Sequence, residues 1–145
     1  MTGNNLVSAL QPVAASRAIQ TLALLGLCSA YIQGPLVKIF DFQSALDEMN
    51  HFGLPSAPLF AIVVIVFELT MSALVVTGLY RWIAALALSG FTMLATLLAL
   101  RFWEMPPGMA RSMAMNGFFE HVGLACAFVL VASGNLLSHP DKKGL

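Results

Sequence analysis

From Ala18 to Val37 the chain runs for twenty residues without a charged side chain. A helix rises 1.5 Å per residue, so about 20 apolar residues cross the roughly 30 Å hydrocarbon core of a bilayer. Three further stretches reach that length, which places expected spans at 17–37, 57–79, 82–100 and 116–137. The third has no charge, the second carries only Glu68, and the fourth carries Glu120 and His121 in its first turns. Long apolar runs must satisfy their own backbone groups in lipid, and they do so as helices. The expected fold is therefore all-α, a bundle of four transmembrane helices. It forms a single integral membrane domain over residues 1–145, with flexible ends at 1–12 and 139–145.

Composition agrees. Apolar residues make up 59% of the chain and charged residues 10%, against about 25% charged in a soluble domain. Seven basic and seven acidic residues cancel, which removes any general attraction to nucleic acid. The second span must tolerate its glutamate. A central charge costs about 2.5–3.5 kcal/mol on insertion scales, and each central Leu, Ile, Phe or Val returns about 0.3–0.6. Thirteen such residues between Leu59 and Leu79 return roughly 4–8 kcal/mol, so insertion wins.

The joints fit the spans. Gly78-Leu79-Tyr80-Arg81-Trp82 is a very short connector, making spans two and three a tight hairpin with aromatic residues at headgroup level. Met105-Pro106-Pro107-Gly108 stops a helix, and 111–115 forms a short lead-in to span four. Between spans one and two, Asp41 caps a short amphipathic helix with Phe42, Leu46 and Met49 at helical spacing, ended by Gly53 and Pro55. An ordered polar loop is the alternative there. Four spans put both ends on one side, where Arg17, Arg81, Lys142 and Lys143 face Lys38, Arg101 and Arg111 opposite. This small excess points to cytoplasmic termini. The first sixteen residues lack Lys and Arg, and the apolar run continues past Ala30, which reads as a span rather than a cleaved leader.

Small residues mark where membrane helices touch. Gly26, Ala30 and Gly34 recur on span one, Ala85 and Ser89 on span three, and Gly123 and Ala127 on span four. Pro35 removes a backbone bond near the end of span one and should bend it. Glu68 lies near the middle of span two and should face inward, protonated or paired. Lys38, Arg101, Glu120 and His121 gather toward one membrane face, with Glu104 and Arg111 beside them and Glu68 deeper. These residues read either as a polar pocket for a small headgroup or a proton, or as buried ion pairs that fix helix register. His121 reads first as a satisfied polar residue, Lys38, Arg101 and Arg111 as interface anchors, and Phe102-Trp103 as an aromatic belt. Cys28 and Cys126 sit singly in apolar runs near mid-membrane and read as buried apolar residues, with neighbouring positions as the alternative. There is no CxxC, Cys/His cluster, nucleotide loop or haem ligand set, hence no legible catalytic or metal site.

The order of these pieces resembles the DoxX family of small bacterial inner-membrane proteins. The resemblance runs from about Arg17 to Ser133. It rests on Gly34-Pro35-Leu36-Val37-Lys38, Phe52-Gly53-Leu54-Pro55, Glu68, Gly78-Leu79-Tyr80-Arg81, Phe102-Trp103 and Asn116-Gly117-Phe118-Phe119-Glu120-His121. The chain departs from relatives after span three, where Ala99-Leu100-Arg101-Phe102-Trp103 stands in place of His-x-Phe/Tyr-Trp, and at the start of span four, where Phe119-Glu120-His121 stands in place of Phe-x-Lys-Asn. Glu120 is expected to compensate Arg101. The resemblance implies the inner (plasma) membrane and kinship with the membrane subunit of a thiosulfate:quinone oxidoreductase. It thus implies an accessory subunit docking a redox partner protein, with quinone as the candidate cofactor and no independent catalysis. A small proton-coupled transporter, which four spans would require to be a homo-oligomer, and a purely structural membrane protein stand beside it.

Overall fold

The structure, a computed structural model, describes residues 10–12 and 16–138. In chain order come α1 (Arg17–Phe40), α2 (Phe42–His51), α3 (Ala57–Thr77), α4 (Arg81–Ala99), a 3-10 turn (Phe102–Glu104) and α5 (Met109–Ser138). No strand occurs among the described residues. Helices α1, α3 and α5 and the segment from α4 through the 3-10 turn are each long and apolar enough to cross a membrane. The expected all-α, four-span fold is what the chain adopts. The flexible ends expected at 1–12 and 139–145 lie outside the described residues, except 10–12, which are helical.

Two boundaries differ from expectation. Helix α1 continues through Pro35 to Phe40. A proline removes one N–H but leaves the following turn free to close, and the Asp41 N–H still reaches the Val37 carbonyl at 2.8 Å. Helix α5 starts at Met109 rather than Asn116. Gly108, at φ +154°, ends the proline break, and its carbonyl accepts from the Ser112 N–H at 3.1 Å. The expected lead-in is thus the first turn of the span itself.

The bundle is sorted by size rather than by polarity. Lipid is as apolar as leucine and gives no reason to bury large apolar side chains, while small ones let backbones approach. On α3 the buried positions are Ala57, Ala61, Ile65, Glu68, Ser72 and Val75, one stripe at helical spacing. On α4 they are Ala84, Ala85, Leu88, Ser89, Thr92 and Thr96. Leu59, Ile62, Val63 and Val66 of α3 face outward. Helix α1 packs on α3, α3 on α4, and α4 most extensively on α5. The ring closes where Tyr31 of α1 meets Phe128 of α5 edge-on, ring centroids 5.5 Å apart.

The small-residue stripes divide. Ala85 and Ser89 are buried, and the Ser89 hydroxyl donates to the Ala125 carbonyl at 2.9 Å, stitching α4 to α5. Gly26, Gly34 and Gly123 instead face open space, and Ala30 is exposed. Gly26, Ala30 and Gly123 are therefore not contacts within the bundle, because each helix turns another face to its neighbours. Cys28 is fully buried while Cys126 is exposed on α5, so only the first behaves as a core residue.

The expected amphipathic helix is α2. The Asp41 carboxylate accepts from the Ser44 N–H at 3.1 Å, satisfying one of the free donors at a helix start. Ala45 and Met49 are buried against Ala57 and Ala61 of α3, with Phe42 and Leu46 beside them. Gly53, at φ +67°, and Pro55 follow its end. This cap on the bundle forms the roof of the cavity beneath it.

Candidate functional site

A cavity of about 430 Å³ lies between α3 and α4 under α2. Its aromatic walls include Phe60 and Phe67 of α3 and Phe91 of α4. Phe67 and Phe91 meet at 5.2 Å between centroids, across the seam near the middle of both helices. Toward the α2 side the cavity runs up past Leu94, Ala95 and Leu98 to Met49, Phe52 and Leu54. Val63 and Leu94 line it and are 53% and 60% exposed, so one flank is turned to the bilayer.

The polar lining comes from three elements: Lys38 of α1, Glu48 of α2 and Glu68 of α3. Glu68 is 8% exposed, and its Oε2 is buried without a hydrogen-bond partner. It lies inside because it falls on the stripe with Ala61, Ile65 and Ser72 that turns to the bundle. A buried polar atom left unsatisfied costs on the order of 1–3 kcal/mol, so sites that keep one need a reason. Lys38 Nζ sits 3.1 Å from a Glu48 carboxylate oxygen, the lysine largely covered and the glutamate partly so. That pair joins the end of α1 to α2 beside the cavity.

The expected cluster is therefore only partly assembled. Lys38 and Glu68 line one cavity; Arg101, Glu120 and His121 do not. Arg101 is exposed and pairs with Glu104 at 3.3 Å. Glu120 is exposed with no ion pair among the described residues. The expected compensation of Arg101 by Glu120 is replaced by a local pair three residues apart, which needs no contact between helices. His121 turns to α4, where its Nδ1 lies 3.0 Å from Thr96 Oγ1. Thr96 spends its own proton on the Thr92 carbonyl at 2.6 Å, so the histidine N–H donates. In the same way Thr92 donates to the Leu88 carbonyl at 2.6 Å, and Tyr31 donates its phenol proton to Thr92. Tyr31, Thr92, Thr96 and His121 thus tie α1, α4 and α5 together.

Sequence reasoning did not single out Glu48, which lies on α2 among the cavity's polar lining. It also missed the threonines. Their signal was present, since Ser89, Thr92 and Thr96 are the polar residues of an uncharged span at one-turn spacing. Phe102 and Trp103 do more than belt the interface. Phe102 packs edge-on to Phe118 at 5.5 Å and Trp103 does so at 5.8 Å, fastening the 3-10 turn to α5.

No curated protein and no solved structure matches the chain. A family model described as DoxX matches residues 20–101, more than half of the chain. The match runs from Gln20 in α1 through α4, takes in every residue lining the cavity, and leaves α5, with its Asn116–His121 motif, outside. On that match the chain, an integral membrane protein with four membrane-crossing helices, belongs to the DoxX family.

Proposed function

We propose that this chain is an accessory subunit of a membrane redox system, holding a lipid-soluble quinone in the cavity beside Glu68 and docking a redox partner protein. It acts as one membrane domain in a bacterial inner membrane, as a homo-oligomer, with cytoplasmic termini favoured by the basic residues at its ends. The observation that carries the reading is the unpartnered Glu68 Oε2 in an aromatic cavity with one flank open to lipid. A pocket that is mostly apolar with one or two placed polar groups suits a small amphiphile. Either form of the carboxyl group suits a quinone. The acid donates to a quinone carbonyl, and the carboxylate accepts from a quinol hydroxyl. A bound quinone supplies two-electron, two-proton carrier chemistry, and the chain's residues hold and orient it.

Native mass spectrometry of the protein released gently from its own membranes tests this reading. The wild type should carry a mass matching a quinone and co-purify with a redox enzyme. Glu68→Gln, which keeps hydrogen-bonding capacity, should retain the adduct, and Glu68→Leu should lose it. Phospholipid as the sole adduct, or an adduct indifferent to both substitutions, would end the quinone assignment. Substrate movement by the chain alone in vesicles, abolished by Glu68→Gln, would put a proton-coupled transporter in its place.

A further inference from the structure

A second cleft, of about 410 Å³, lies at the opposite end of the bundle between α1 and α5. Helices α1 and α5 meet at Tyr31 and Phe128; the cleft opens nearer the chain ends, lined by Gln20, Ala23, Arg81, Gly134 and Asn135. Gln20 is in the first turns of α1, Arg81 begins α4 and Asn135 lies in the last turn of α5. All three therefore stand at one membrane surface, where the adjoining Tyr80 and Trp82 supply the ring pair suited to headgroup level. From these observations we propose that this cleft binds the phosphodiester headgroup of an anionic phospholipid, with Arg81 as its cation and the amides of Gln20 and Asn135 beside it.

Charge placement is the first support. Arg81 is half-buried at the cleft. Its Nε donates to the Val75 carbonyl at 2.8 Å and its Nη2 to the Val76 carbonyl at 3.4 Å. These bonds cap the end of α3 and fix the guanidinium, yet they use two of five N–H donors and none of the charge. Among the described residues Arg81 has no acidic partner. Residues 16–27, 70–90 and 126–138, which build this end of the bundle, contain no Asp or Glu. The acids of the described chain lie at the other end or, for Glu68, at mid-span. A fixed arginine without an internal counterion binds phosphate through its planar fork.

Shape is the second support. Gly134 faces open space, with nothing within 4 Å of where a Cβ would stand. The lining mixes polar tips with Ala23, Leu24 and Val131, which suits a headgroup entering with the start of its acyl chains. Free phosphate offers the same anion without the chains, so the two sources separate by experiment.

The test uses the full-length protein stripped of lipid in detergent and offered equal amounts of phosphatidylglycerol and phosphatidylcholine, with bound lipid read by native mass spectrometry. Wild type should retain phosphatidylglycerol about fivefold over phosphatidylcholine, the factor one basic side chain supplies at a membrane surface. Arg81→Gln should bring the ratio to one. That substitution also removes the cap on α3, so Gly134→Leu is the second arm. It fills the cleft from α5, leaves the Arg81 bonds in place, and should abolish the preference with melting unchanged. A wild-type ratio of one, or a preference that survives Gly134→Leu, overturns the proposal. Displacement of the lipid by inorganic phosphate at low excess would overturn the lipid assignment in favour of free phosphate. Retention against a large excess supports the lipid.

Discussion

Helix α4 has two flanks, and they are built in opposite ways. Toward α5 it presents Ala85, Ser89 and Thr96, all buried, and the seam is held by Ser89 on the Ala125 carbonyl and by Thr96 against His121. Toward α3 it presents Phe91, Leu94, Ala95 and Leu98, and the seam parts into a cavity of about 430 Å³. In water a seam that failed to close would be driven shut by its apolar surface. In lipid no such force acts, and helices approach only where small residues and hydrogen bonds let them. A span can therefore keep a ligand-sized gap on one flank as long as the other flank holds it. The closed seam carries stability and the open one is free to carry function.

The largest effect should come from breaking the closed side. Phe128 is fully buried and packs against Tyr31 where α1 and α5 meet. Phe128→Ala should lower unfolding free energy by about 3 kcal/mol, the low end of the aqueous range, since lipid leaves the cavity and dispersion losses but removes the transfer term. Unfolding in mixed micelles with a graded denaturing detergent measures it. A loss below about 1 kcal/mol would mean that Tyr31 and Phe128 touch without holding the ring closed.

A matched pair of enlargements sharpens the contrast. Ser89→Leu puts a larger side chain into a packed interface and removes the bond to Ala125, so it should cost about 1–3 kcal/mol. Ala95→Leu adds similar volume on the other flank, where there is room, and should stay within about 0.5 kcal/mol of wild type. It should also displace whatever the cavity binds. Thermal melting of both variants in one detergent decides the point. Equal losses would show the two seams to be packed alike.

What the sequence made legible follows from the same physics. Spans depend on length and charge, which are local quantities, so the four helices and the α2 cap could be read from the chain directly. Helix orientation is not local. Gly26, Ala30 and Gly34 formed as good a stripe as Ala85 and Ser89, yet only the second is buried, because neither pattern states which neighbour it will meet. Glu68 was placed correctly inside, since lipid leaves a mid-span carboxyl few other positions. Arg101 and Glu120 were grouped with it because sequence gives depth along the bundle but not angle around it. A polar pocket near Glu68 was expected, but the apolar walls of the cavity and its place between α3 and α4 were invisible for that reason. The cavity is a gap between Phe60 and Phe67 on one helix and Phe91 and Ala95 on another, and no run of residues encodes a gap.

Smaller effects test the polar stitching. Thr96→Val should cost about 0.6 kcal/mol, the mean for hydrogen bonds between membrane helices, read by thermal melting in the same detergent. A loss near 2 kcal/mol would make Thr96 a centre of a coupled network rather than one bond in a seam.

The smallest expected effect is at Glu120. Had it compensated Arg101 across the bundle, Glu120→Lys would remove an attraction and add a repulsion. The geometry gives Arg101 to Glu104 instead, with both side chains 54% exposed, and leaves Glu120 outside any ion pair among the described residues. Exposed pairs of this kind are worth about 0.2–1 kcal/mol even when intact. Glu120→Lys should therefore melt within about 0.5 kcal/mol of wild type, and Glu104→Lys should lose slightly more. If Glu120→Lys were the more damaging of the two, the turn after α4 would have to rearrange so that Arg101 reaches α5. The polar stitching of the closed seam would then extend to the membrane surface instead of ending at His121.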